Sequence, residues 1–170
     1  MPPINPSTQP RLNWLELLGG VFDDTGFVLT SGGDGSIYLG GETNGGTWDG
    51  QTARGRRDGF VSRYNLSGQR LWTQWYGSNQ DDQVRGLGVD PYGALYLSGG
   101  TLGSMEGNTS FSNGASDGFL SRINSSIKKD WTLQLGGESW DLLRSLAVSQ
   151  RDGAIYGIGY SASLSFGLLP

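Results

Sequence analysis

The chain has no cysteine and no histidine. The first absence removes disulfides, thiol nucleophiles and cysteine metal sites. The second removes the commonest general base and the commonest transition-metal ligand. Lysine occurs only at Lys128 and Lys129, so a nucleophilic triad would have to be built on that one site. Basic charge is also thin: 12 basic residues against 16 acidic ones give a net charge of −4. A binder of phosphate backbones needs a basic footprint, so no nucleic-acid partner is expected. Arg54, Arg56 and Arg57 form the one basic cluster and read as a solvated loop.

Long apolar runs are missing as well. Met1 to Asn13 is rich in proline without an apolar core, which excludes a signal peptide and reads as an extended leader over 1–13. Residues 153–170 carry no charge, yet glycines and serines interrupt them throughout. They read as a pair of strands rather than a spanning helix, so no membrane span is expected.

What is present is glycine, 30 of 170 residues, together with 11% aromatics. The glycines show no three-residue period and stand between short apolar runs, where tight turns need positive φ. They also mark a repeat. Gly35-Ser36-Ile37-Tyr38, Gly93-Ala94-Leu95-Tyr96 and Gly153-Ala154-Ile155-Tyr156 are copies of one tetrad. Each runs on to a second glycine, Gly41, Gly99 or Gly159, and then to Thr43, Thr101 or Ser161. Trp14, Trp72 and Trp131 keep the same register, and each has a glycine five residues later, at Gly19, Gly77 and Gly136. Asp58-Gly59-Phe60-Val61-Ser62-Arg63 recurs as Asp117-Gly118-Phe119-Leu120-Ser121-Arg122. A period of this size points to stacked blades or solenoid units.

Within one repeat the apolar runs have strand length and the separators are turns. In the second repeat the expected strands are Val84–Asp90, Leu95–Gly99, Gly118–Asn124 and Trp131–Leu135, with a long polar loop over 103–117. Four antiparallel strands per repeat match a β-propeller blade. The expected fold is therefore all-β, with blades of four antiparallel strands and an incomplete ring of about two full blades plus partial ones. The repeat segment covers 14–170, with repeats starting near Trp14, Trp72 and Trp131 and the last one truncated. Trp14 is expected to contribute one closing strand. The repeated tryptophans, Tyr38, Tyr96 and Tyr156, and Gly41, Gly99 and Gly159, are expected to pack blades rather than bind ligands.

These residues resemble the bacterial SBBP (seven-bladed β-propeller) repeat family. The likeness rests on Trp-x4-Gly, the paired aspartates, the Gly-small-aliphatic-Tyr-x2-Gly hairpin and Asp-Gly-Phe-x-Ser-Arg, and covers nearly all of 14–161. It implies a propeller, an exported or surface-associated bacterial protein, and no general enzymatic activity. The chain departs from the pattern at Ile127, which stands where the first copy of the turn has Gly68. It also departs in blade count, since closed propellers have four to eight. A piece of a longer or truncated product is the first expectation, and completion of a ring by further copies the second.

Several chemistries can be weighed on the residues. Asp23-Asp24 and Asp81-Asp82, with Asp141 near the third equivalent place, suggest calcium, but they also suit turn capping. No other cofactor is implied. A carbohydrate-active hydrolase or lyase would need two facing carboxylates. Glu42, Glu106 and Glu138 are available but do not recur in register. No catalytic residue is assigned. The expected role is a non-enzymatic scaffold binding a protein or glycan outside the cytoplasm, with a carbohydrate-active hydrolase or lyase propeller and a purely structural spacer as the alternatives. Trp48 and Asp49 in one long loop, and Met105 and Phe111 in the other, are the expected contact residues.

Overall fold

The computed structural model describes residues 12–48, 50–105, 115–163 and 167–168. Among these, every regular element is a β-strand. The first sheet holds β1 (Asp24–Ser31), β2 (Ile37–Thr43), β5 (Asp58–Tyr64) and β6 (Arg70–Tyr76), adjacent in that order. A two-residue pair, β3 (Thr47–Trp48) and β4 (Gln51–Thr52), stands in the loop between β2 and β5. The second sheet repeats the plan with β7 (Asp82–Val89), β8 (Leu95–Thr101), β9 (Asp117–Ile123) and β10 (Lys129–Gly136). The short β13 (Gly167–Leu168) adds to the outer edge of β10. The third sheet has β11 (Asp141–Val148) and β12 (Ile155–Ser161) alone. Among the described residues all pairings are antiparallel, and no sheet closes on itself.

The sheets stack face to face. β7 packs on β1, β2 and β5, and β11 packs on β7, β8 and β9. Between the first two sheets lie Tyr38, Val61, Val84, Leu87, Leu97 and Phe119, all buried. Tyr96 and Leu146 lead the cluster between the second and third. Each junction is also fastened by one backbone bond of the same kind. Asp82 N donates to Arg57 O at 3.0 Å, and Asp141 N donates to Ser116 O at 2.6 Å.

The repeated glycine after each tyrosine has a steric cause. The first strand of each sheet carries a β-bulge, between Gly26 and Val28, Val84 and Gly86, and Leu143 and Ser145. The bulge turns a backbone carbonyl toward the neighbouring strand. A Cβ at Gly41, Gly99 or Gly159 would collide with the carbonyl oxygen of Thr25, Gln83 or Leu142. Only glycine fits beside such a bulge without displacing the strand.

The strand expected at Trp14 does not form; residues 12–20 have no regular structure. Trp72 lies in β6 and Trp131 in β10, each paired with an Asp-Gly-Phe strand, β5 or β9. Among the described residues no Asp-Gly-Phe strand lies beside Trp14, so its backbone has no ladder to join there. The segment nevertheless keeps its place over the first sheet. Leu18 packs on Phe60 and Trp75, and Trp14 stacks on Tyr64 with ring centroids 5.6 Å apart.

Candidate functional site

Register places the repeat residues in rows across each sheet. Tyr38 faces Arg63, and Arg63 faces Trp72. Tyr96, Arg122 and Trp131 form the same row one sheet later. In both rows the guanidinium lies over the tyrosine ring, at 5.6 Å for Arg63 and 5.8 Å for Arg122. The tryptophan ring is tilted against the tyrosine at 6.0 and 6.2 Å. Each arginine is held by acidic partners. Arg63 bonds Asp34 at 2.6 Å, and Arg122 pairs with Asp130 and stands 4.0 Å from Asp90. Asp34 is held below the usual carboxylate range, first by the Ser36 backbone N–H and further by Ser36 Oγ and Arg63.

Above the first row a cleft of about 490 Å³ opens between the turn ends of the first two sheets. Tyr38, Arg63 and Trp72 line its first-sheet side, and Tyr92, Asn124 and Ile127 its second-sheet side. Tyr92 projects into solvent from a turn that Asp90 builds by accepting the backbone N–H groups of Tyr92 and Ala94, both at 2.9 Å. Trp72 Nε1 is buried without a hydrogen-bond partner among the described residues. Ile127 has φ +64°, where Gly68 has +82°, and is the one non-glycine residue with positive φ among the described residues. The two turns are otherwise alike. Asn65 Oδ1 accepts the N–H groups of Ser67 and Gln69, and Asn124 Oδ1 those of Ser126 and Lys128. The cleft thus combines ring faces, a charged pair and amide groups, with a strained β-branched residue on its wall.

A second set of rows is acidic. Asp24, Thr43 and Asp58 lie abreast in the first sheet, and Asp82, Thr101 and Asp117 in the second. Asp141 and Ser161 open the same row in the third. Stacking brings these rows together in pairs, Asp58 with Asp82 and Asp117 with Asp141, all four carboxylates buried. The repeated glycine after each tryptophan is their spacer. A Cβ at Gly77 would stand 2.5 Å from Asp82 Oδ2 and 3.0 Å from Asp58 Oδ1. One at Gly136 would meet Asp117 and, at 3.0 Å, Asp141 Oδ2. Asp82 accepts the Ser78 N–H at 2.7 Å, and Asp141 accepts that of Gly137 at 2.8 Å. Asp58 Oδ1 and Asp141 Oδ1 have no hydrogen-bond partner among the described residues. Burial, with a contribution from Asp58, pushes Asp82 up to about 6, and burial also raises Asp58.

The contact and metal residues expected from the sequence are scattered. Asp49 and Phe111 lie outside the described residues, and Trp48 forms β3 opposite Gln51. Met105 is buried in the core between the first two sheets, with its backbone N–H bonded to Gln134. Of the paired aspartates, Asp81 bonds Arg56 at 2.8 Å on the surface, and Asp23 is exposed. Asp24 accepts the Gly20 N–H at 2.7 Å and Asp82 caps its own turn. Among the described residues, no group of three or more acidic side chains could hold a metal ion. Glu42 lies 3.8 Å from Arg57, Glu138 is exposed, and Glu106 lies outside the described residues. The pairing of Asp58 with Asp82 was within reach of the sequence, since both recur, but only stacking shows that they meet. No protein-family model matches the chain, and no curated protein matches it in sequence. No helix among the described residues is long and apolar enough to cross a membrane.

Proposed function

We propose that the chain is a β-propeller repeat segment that works as a non-enzymatic binding scaffold, with the cleft above Tyr38, Arg63 and Trp72 as its contact surface for a protein or glycan. The propeller reading is supported by two sheets of four long strands and a two-stranded third, stacked through equivalent first strands. The observation that carries the binding role is the cleft itself, about 490 Å³ with Trp72 and Tyr92 on opposite walls. Ring faces beside fixed polar groups suit a ligand with alternating apolar and hydroxyl or amide surfaces. A place outside the cell, on an exported or surface protein, goes with this reading through the repeat resemblance.

Titration with short neutral oligosaccharides and with a peptide library, followed by tryptophan fluorescence, tests the role, because Trp72 lines the cleft. A saturable change that Tyr92→Ala abolishes, at unchanged Tm, supports it. No saturable change with any member of either set, or an unaltered affinity in Tyr92→Ala, sinks it.

A further inference from the structure

The two ends of the stack carry the two halves of the contact that holds its middle together. In the middle, the first strand of one sheet presses a leucine onto the second strand of the sheet before it. A Cβ at Gly40 on β2 would stand 3.1 Å from Leu87 of β7, and Leu146 of β11 packs in one cluster with Tyr96 of β8. Leu87 and Leu146 are 4% and 8% exposed. Leu29 is their equivalent in β1, one tetrad earlier, and it is 67% exposed. The receiving face shows the same contrast. Tyr38 and Tyr96 are 6% and 7% exposed beneath the next sheet, whereas Tyr156 is 65% exposed. Ile158 and Tyr160 alternate with it along β12, so all three lie on one open face.

The remaining elements are complementary too. The third sheet has only its first and second strands among the described residues. At the other end, residues 14–19 lie over the first sheet where a fourth strand lies over the second. Leu18 covers Phe60 as Tyr76 joins the cluster of Phe119, and Gly19 faces Asp24 as Gly77 faces Asp82. The first sheet therefore already carries an outer segment at that end.

We infer that the chain binds a second copy of itself head to tail, the Leu29 face of one copy docking on the Tyr156–Ile158–Tyr160 face of the other in the way that β7 docks on β2 and β11 on β8. This rests on the stacked-repeat reading above. The contact is heterologous, so it leaves one free face at each end of the pair and propagates to a ring or an open chain. Covering both faces removes the largest exposed apolar surfaces of strand origin, which a lone stack would present to water.

Light scattering of the whole chain at roughly 100 µM, above the dissociation constant of a weak interface, measures the association. The wild type is expected to exceed the mass of one chain and to grow with concentration. Leu29→Arg and Ile158→Arg are each expected to run as a monomer with unchanged Tm, since both positions are exposed. Mixed in equal amounts they are expected to give a dimer and nothing larger, because each variant keeps the face the other has lost. A monomeric wild type, a mixture that stays monomeric, or variants that associate like the wild type would each overturn the interface. Solution scattering of the monomeric variants separates this from the parent reading. A profile matching three stacked sheets without association refutes the interface alone, and a profile that does not match refutes the stacking as well.

Discussion

The second and third sheets begin alike and end in different surroundings. Each opens with an aspartate, a bulged first strand and the Gly-x-x-Tyr hairpin. Tyr96 then lies under the third sheet with Arg122 over its ring, its hydroxyl accepting a hydrogen bond from Arg122 Nε at 3.0 Å. Tyr156 has no such row, because the strand that would bring the arginine is not paired with β12 among the described residues. The same tetrad thus yields a core residue in one place and a surface residue in the other. Sequence sets the strand and the bulge; burial comes from the neighbour.

That difference is open to a direct break. Tyr96→Ala is expected to cost roughly 3–5 kcal/mol, the cost of removing a large buried aromatic. Tyr156→Ala, measured by denaturant unfolding at concentrations where the chain is monomeric, is expected to stay within about 0.5 kcal/mol. Equal losses at the two positions would mean that Tyr156 is already covered in the monomer.

The junction of the first two sheets differs from the outer surface in its carboxylates, and pH reads that difference. Asp82 goes from 3.8 to about 6 on folding, because burial disfavours its charge and Asp58 lies beside it. The folded state therefore holds a proton that the unfolded state has released. Its contribution is complete below pH 3.8 and is lost as pH rises through about 6, amounting to roughly 3 kcal/mol. Asp58 is raised by burial and acts in the same direction. Unfolding free energy is expected to fall as pH rises from 3.8 to about 6 and to level off above that, and Asp82→Asn is expected to flatten the slope. A stability that rises with pH across that window would show that the pair is ionised and compensated in the folded chain.

The sequence made the strands legible because the repeat supplied its own control. A tetrad seen three times fixes hairpins that one copy would leave ambiguous, and the second-repeat strands expected at 84–90, 95–99, 118–124 and 131–135 fall within a few residues of β7, β8, β9 and β10. Trp14 misled because a motif carries its side-chain role without guaranteeing a ladder partner. The aromatic cleft was not legible at all. Trp72, Tyr92 and Ile127 come from three separate turns and strands, and Tyr92 has no counterpart in register, since Asp34 and Asp152 stand at the matching turn position. Met105 reads as a loop contact because its long loop differs in sequence between repeats, yet a buried core cluster accepts it.

The smallest effect concerns the two Asn-led turns, which hold the same hydrogen bonds with different residues at positive φ. At the first, Gly68 is required twice over. Its φ is +82°, and a Cβ there would stand 2.6 Å from the Trp14 ring. At the second, Ile127 adopts φ +64° with a branched Cβ, a conformation that costs about 1–3 kcal/mol. Asparagine tolerates this region far better than isoleucine. One substitution should therefore carry opposite signs: Gly68→Asn destabilises because Trp14 must move, whereas Ile127→Asn stabilises by about 1 kcal/mol. Thermal unfolding of both variants checks the signs. If Ile127 is retained for its place on the cleft wall, the stabilised Ile127→Asn chain should also bind its ligand more weakly, and a stabilised variant with undiminished binding would leave the strained isoleucine with no part in recognition.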